Sequence, residues 1–122
     1  MLVVPHFVAR SAIHGLGVFA AKKIDKGEVV WRFDPDFDVE IPYDLVEHFL
    51  DADRETVLNH AEYIPSKNAF ILGNDADIFM NHSEAPSLVD AGATMYAARN
   101  IQEGEELTCD YQVVTVLGFD GA

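Results

Sequence analysis

Cysteine is the first shortage. Cys109 is the only cysteine in the chain, which excludes an internal disulfide and any cysteine-rich zinc cluster. The five histidines are scattered without ligand spacing, so no metal is expected. Long apolar runs are also missing, and the start, Met1-Leu2-Val3-Val4-Pro5-His6, has neither a basic flank nor an extended apolar stretch. Neither a signal peptide nor a membrane span is expected, which points to a cytoplasmic protein. Basic residues are scarce as well: 8 Lys and Arg stand against 21 Asp and Glu, a formal charge of -13. Such a field repels phosphate backbones and attracts basic partners at modest salt, so direct nucleic-acid binding is not expected. The same acidity also serves solubility.

What is present describes one folded unit. Hydrophobic residues make up 49% of the 122 and charged ones 24%, too rich in apolar side chains for disorder. The length suits a single domain over residues 1–122, too short for separate cofactor and substrate domains. Any ligand site must be built into that unit. Turn signals divide the chain into short elements. Residues 2–8 read as a strand with Pro5 near an edge position, and Gly15-Leu16-Gly17 precedes the apolar run Val18-Phe19-Ala20. Asp25-Lys26-Gly27 is a turn, and residues 28–33 have the β-branched and aromatic content of a strand. Between residues 43 and 63, Leu45, Val46, Phe49 and Leu50 recur at helical spacing, and Asp53 offers a second capped turn. Short segments return beyond Pro65, so the architecture reads as mostly β with a helical insertion at about 43–63.

One motif competes for the glycines. Gly15-Leu16-Gly17-Val18-Phe19-Ala20 satisfies a dinucleotide-binding pattern, with Asp34 closing a strand about twenty residues later. A doubly wound sheet, however, needs several βαβ units with long helices, and the stretch after Gly17 is soon interrupted by Asp25-Lys26-Gly27. A tight turn at positive φ explains such glycines without any ligand.

Three blocks, in order and over nearly the whole chain, carry a more specific signal. Residues 11–28, opening with Ser11-Ala12-Ile13-His14-Gly15-Leu16-Gly17, resemble the opening motif of the SET-domain family of lysine methyltransferases. Phe79-Met80-Asn81-His82-Ser83 resembles its central motif. Residues 98–111, ending in Glu106-Leu107-Thr108-Cys109-Asp110-Tyr111, resemble its closing block. The resemblance implies a β-clip-like fold of several small sheets, with a C-terminal pseudoknot that sets the last two blocks side by side. It implies S-adenosylmethionine as cofactor, with Gly15, Leu16 and Gly17 against its methionine end and Asn81 and His82 on its amino-acid and adenosine parts. It also implies that Tyr111 orients the reacting centre in methyl transfer to a lysine ε-amine of a basic protein or peptide. Outside such a block, a histidine or strand tyrosine is more often a core residue. A lysine amine with an ordinary pKa near 10.4 costs about 3 to 5 kcal/mol to deprotonate at neutral pH unless a narrow apolar channel and the nearby sulfonium charge lower that pKa, and the resemblance implies such a channel.

Departures from the family pattern matter too. Cys109 stands where many relatives have an aromatic residue, which leaves more space and favours multiple methylation. Phe33 replaces a common tyrosine, removing one hydroxyl from the expected substrate channel. No cysteine-rich tail follows Tyr111, so the channel needs another cover: the tail through Phe119, a second subunit in a homodimer, or the substrate. Phe119 is the candidate lid residue. The competing function is a non-catalytic module of the same fold that binds cofactor or basic peptides.

Overall fold

The computed structural model describes residues 1–118. Two strands, β1 (His6–Arg10) and β2 (Leu16–Ala20), form an antiparallel hairpin, followed by β3 (Val29–Arg32) and β4 (Val39–Pro42). Helices α1 (Tyr43–Val46) and α2 (Asp51–His60) come next, then β5 (Glu62–Ile64) and β6 (Ala69–Leu72). A 3-10 turn at Ala76–Phe79 leads into β7 (Asn81–His82), β8 (Leu88–Asp90), β9 (Thr94–Ala97) and β10 (Glu106–Cys109). The strands form three small sheets, in the orders β1-β2-β10-β7, β3-β9-β8 and β4-β6-β5. The fold is mostly β with few helices, as the sequence pattern implies.

Strand burial explains the pairing. Val18 and Leu107 lie opposite one another across β2 and β10, and both are fully buried. They join Ile24, Val30, Leu88 and Ile101 in a core shared by the first two sheets. Burying one such side chain contributes roughly 1.5–3 kcal/mol. The helical insertion has its own apolar cluster: Val46 of α1 and Val57 of α2 pack with Ile41, Ala61 and Phe70. Tyr43 stacks on Phe70 at 5.8 Å, and Tyr63 tilts against the same ring at 5.3 Å.

Three boundaries differ from the sequence reading. The expected strand over residues 2–8 is split: Leu2 forms an isolated bridge with Trp31, and β1 starts only at His6. Pro5 has no N–H to donate, and its carbonyl instead accepts from Ala21. The helical region ends at His60, because β6 offers an edge that Glu62, Tyr63 and Ile64 fill, and Pro65 disfavours helix in the residue before it. Asp53 does not cap α2. Leu50 is the N-cap residue and supplies no side-chain bond, while Asp51 and Asp53 sit in the first turn, where the helix dipole favours acidic groups.

The most consequential pairing is parallel. β10 lies beside β7 with Thr108 opposite Asn81 and Cys109 opposite His82, which sets the last two sequence blocks side by side. The loop between β7 and β8 is stitched to β10: Ser83 N–H donates to the Cys109 carbonyl at 3.0 Å, and Ser87 N–H to Thr108 Oγ1 at 3.0 Å. Beyond β10 the chain turns back over the insertion. Tyr63 N–H donates to the Thr115 carbonyl at 2.9 Å, and Val114 and Val116 are buried in the main core.

Candidate active site

The hairpin turn between β1 and β2 is held from beneath by a polar cluster. Ser11 N–H donates to the Gly15 carbonyl at 2.8 Å and closes the turn, with Gly15 at φ 46. Ser11 Oγ donates to the Glu106 carboxylate at 2.8 Å. Buried Asn81 completes the cluster: its Nδ2 lies 3.0 Å from the His14 carbonyl, 3.1 Å from that of Leu16 and 2.9 Å from Glu106 Oε2. The donor half of this amide is thereby committed to the protein, and it fastens the glycine turn to β7 and β10.

His82 and Tyr111 are joined directly. Tyr111 N–H donates to His82 Nδ1 at 3.1 Å, so that nitrogen is the acceptor and the neutral ring carries its proton on Nε2. The rings lie 5.4 Å apart, tilted by 53°. The Tyr111 hydroxyl donates to the Met80 carbonyl. Burial, with Cys109 adding, pushes the phenol up to about 12, so it stays protonated through the neutral range. Cys109 is buried too, and its thiol is pushed up to about 12 by burial and then by Asp90, Glu62 and Asp110. It is unreactive at neutral pH.

Two cavities flank Tyr111. The larger, of about 610 Å³, is lined by Gly15, Leu16, Asn81 and His82 together with Ile13 and Phe79. The smaller, of about 70 Å³, is lined by Cys109, Trp31, Met80, Met95 and Val114 together with Glu62 and Asp77. Tyr111, Ile78, Asn59 and His60 line both, so the cavities share a wall. Both carboxyls of the smaller cavity are perturbed. Burial, with Asp90 adding, pushes Glu62 up to about 8. Burial and the hydrogen bond with Asp75 push Asp77 up to about 7, against the Trp31 Nε1–H bond to Asp77 Oδ2 at 2.8 Å.

The structure therefore brings Tyr111, Gly15, Leu16, Asn81, His82 and Cys109 to one place, and leaves two of the other candidates elsewhere. Gly17 lines neither cavity, and a Cβ there would fall 2.4 Å from Glu106 Oε2. Its lack of a side chain makes room for the Glu106 carboxylate. Phe33 is half-buried against the main core, with Lys67 Nζ 5.8 Å from its ring centre, and lines neither cavity. Phe119 lies outside the described residues. Residues the sequence did not single out complete the site: Glu106 under the turn, Asn59 and His60 at the end of α2, and Glu62 and Asp77. Glu106 lies within the closing block and Ser11 within the opening one, but only the fold shows that they meet. Among the described residues, no group of three or more His, Cys, Asp and Glu side chains is placed to hold a metal ion. No helix among them is long and apolar enough to cross a membrane.

Comparison with known proteins places this geometry. The model of the SET domain family matches residues 15–112, and the chain belongs to that family. It is similar to the human protein Histone-lysine N-methyltransferase 2B, 32% identical over 114 residues, an alignment covering 86% of this chain and 4% of that protein. The chain thus corresponds to a small fraction of that relative. Among solved structures it resembles a Plasmodium falciparum protein described as a histone methyltransferase, at TM-score 0.63 and 22% identity, over 90% of this chain and 95% of that one. It also resembles a chain in a humanized mutant of the Chaetomium thermophilum Polycomb Repressive Complex 2, at TM-score 0.68 and 19% identity, over 89% of this chain and 15% of that one. These structural likenesses are likenesses of fold.

Proposed function

We propose that the chain transfers a methyl group from S-adenosylmethionine to the ε-amine of a lysine in a basic protein or peptide. The observation that carries this reading is the wall shared by the two cavities, with Tyr111 in it. A two-substrate displacement needs two sites of different shape that meet at one point. The larger cavity has the volume of a typical small-molecule site and both apolar and polar lining. A Cβ built on Gly15 meets nothing within 4 Å, so ligand can approach the backbone there. Gly15, Leu16, Asn81 and His82 are the residues that would hold the cofactor.

Bound there, S-adenosylmethionine supplies a methyl group on a cationic sulfur, open to in-line displacement by an amine. The protein's own part is positioning. Asn81, held to the His14 and Leu16 carbonyls, fixes the turn that forms one side of the larger cavity. His82 receives the Tyr111 N–H and so sets the backbone from which the phenol projects. The Tyr111 hydroxyl, fixed by the Met80 carbonyl and protonated at neutral pH, orients the reacting groups and does not act as a base. The narrow cavity takes the lysine side chain and excludes water from its amine, a desolvation that favours the neutral form. Fixing two reactants in this way is worth up to about 7–11 kcal/mol of the barrier. The name of the human relative, a histone-lysine N-methyltransferase, supports lysine as the acceptor, and the net charge of -13 supports a basic substrate.

Incubation with methyl-labelled S-adenosylmethionine and lysine-rich basic proteins, followed by mass spectrometry of the products, tests the proposal. Label on lysine side chains is the expected result. Cofactor binding without transfer to any of them would favour the binding-module alternative.

A further inference from the structure

The mechanism above leaves the acidic groups of the narrow cavity unused. Glu62 and Asp77 line a space otherwise bounded largely by Trp31, Met80, Met95 and Cys109. Asp77 is engaged through Oδ2, which accepts from Trp31 Nε1–H, although its buried Oδ1 has no hydrogen-bond partner among the described residues. Glu62 is not: its carboxyl makes no hydrogen bond or ion pair with any described residue. It sits at the start of β5, where pairing with Ile71 of β6 fixes its backbone beside the cavity. The groups that face this region are Asp90 from β8, Cys109 and Tyr111 from β10 and its extension, Asp77 from the 3-10 turn and His60 from α2. No Lys or Arg is among the residues lining the cavity. An unpaired carboxyl in an acidic, half-buried pocket is unfavourable in the empty protein, and a cation entering that pocket removes the penalty.

We propose that Glu62 receives the ammonium of the substrate lysine in the narrow cavity and accepts its proton before transfer, an assignment that rests on the lysine reading above. In the empty chain at neutral pH the carboxyl is largely protonated, since its value is about 8. The arriving ammonium stabilises the carboxylate, and the carboxyl proton leaves to solvent. One proton then passes from the ammonium to the carboxylate, giving a neutral amine and a carboxylic acid. The freed nitrogen lone pair forms the new N–C bond as the C–S bond of the donor breaks, and the methylated ammonium leaves with its own positive charge. Glu62 re-enters the cycle as the acid.

The test uses n-butylammonium as a probe of the cavity, n-butanol as its neutral counterpart, and the whole chain with Glu62→Gln. Butylammonium is expected to bind the parent chain at least tenfold tighter than Glu62→Gln, with proton release at pH 7 in the parent alone. Butanol should bind both alike. Carbon-13 observation of the Glu62 carboxyl should show its titration moving downward from about 8 when the probe is present. Equal butylammonium affinity, or an unmoved titration, would overturn the assignment. S-adenosylmethionine binding, measured by calorimetry, should be the same in both chains because Glu62 does not line the larger cavity. Methyl transfer with an identical pH profile and kcat in both chains would overturn Glu62's role while leaving the proposed activity standing. Butylammonium capture by Glu62 without methyl transfer to any lysine substrate would overturn the activity while leaving the cation site standing.

Discussion

Single residues of this site have separable duties. Asn81 and Glu106 hold the glycine turn without lining the narrow cavity. Asn81→Ala should remove the amide donor shared by the His14 and Leu16 carbonyls and leave the Glu106 carboxylate with Ser11 Oγ as its remaining side-chain donor, lowering stability by about 1–3 kcal/mol in urea unfolding and weakening S-adenosylmethionine binding. The two glycines should respond differently to alanine. At Gly15 there is open space, and the cost comes from φ 46, about 1 kcal/mol. At Gly17 the new methyl would force aside a carboxylate pinned by Ser11 and Asn81, costing about 2–4 kcal/mol, and the same unfolding curves check the order. Cys109 puts a small side chain on the wall of the narrow cavity, where the lysine amine is proposed to enter. Intact-mass analysis at exhaustive turnover should therefore show di- or trimethylated lysine, and a product that stops at one methyl would count against that. Tyr111, Asn81, His82, Gly15 and Leu16 were legible in the sequence because they fall in contiguous blocks. Glu62, Asp77, Asn59 and His60 were not, since each is a lone residue that only the packing of distant elements brings to the cavity walls.

Among the elements, the parallel pair β7–β10 sets the geometry of the candidate site, because it joins residues 81–82 to residues 108–109. That adjacency was available from the family resemblance and not from periodicity, which carries no information on which strands meet. Periodicity did reveal the helical insertion, but it overran into β5, where an open sheet edge and Pro65 outweigh helical spacing. This overrun is what hid Glu62 inside an apparent helix. The element boundary has a measurable consequence. In the folded chain Glu62 titrates at about 8, against 4.5 for the free group, so between those values the folded chain keeps a proton that the unfolded chain has lost. The contribution of this group to stability is therefore fully present below about 4.5 and lost as pH rises through 8. Urea unfolding at pH 5, 7 and 9 should show a decline on the order of a few kcal/mol, discounted for partial exposure. Glu62→Gln should remove only part of it, leaving a comparable decline from Asp77, which is raised to about 7, and from Asp90, which burial also raises.

The whole molecule presents a formal charge of -13 on 122 residues, and that charge acts at a range set by salt. If the substrate is basic, KM for a lysine-rich peptide should rise several-fold between about 50 and 300 mM salt while kcat changes little, as screening weakens encounter and not alignment. Mostly β architecture and a single unit with a helical insertion were legible at this scale from turn signals and length. The division into three sheets and two apolar clusters was not, because which strands share a sheet is decided by long-range packing. Tyr111 stands in the wall shared by the two cavities, and one paired measurement tests whether methyl donor and acceptor meet there. Methyl transfer to a lysine-rich protein and S-adenosylmethionine binding are measured together for the parent chain and Tyr111→Phe. Transfer is expected in the parent, with a loss of at least a hundredfold in the variant and cofactor affinity within a few-fold of the parent. Transfer that survives the loss of the hydroxyl, or a parent chain that binds no S-adenosylmethionine, would contradict the proposal.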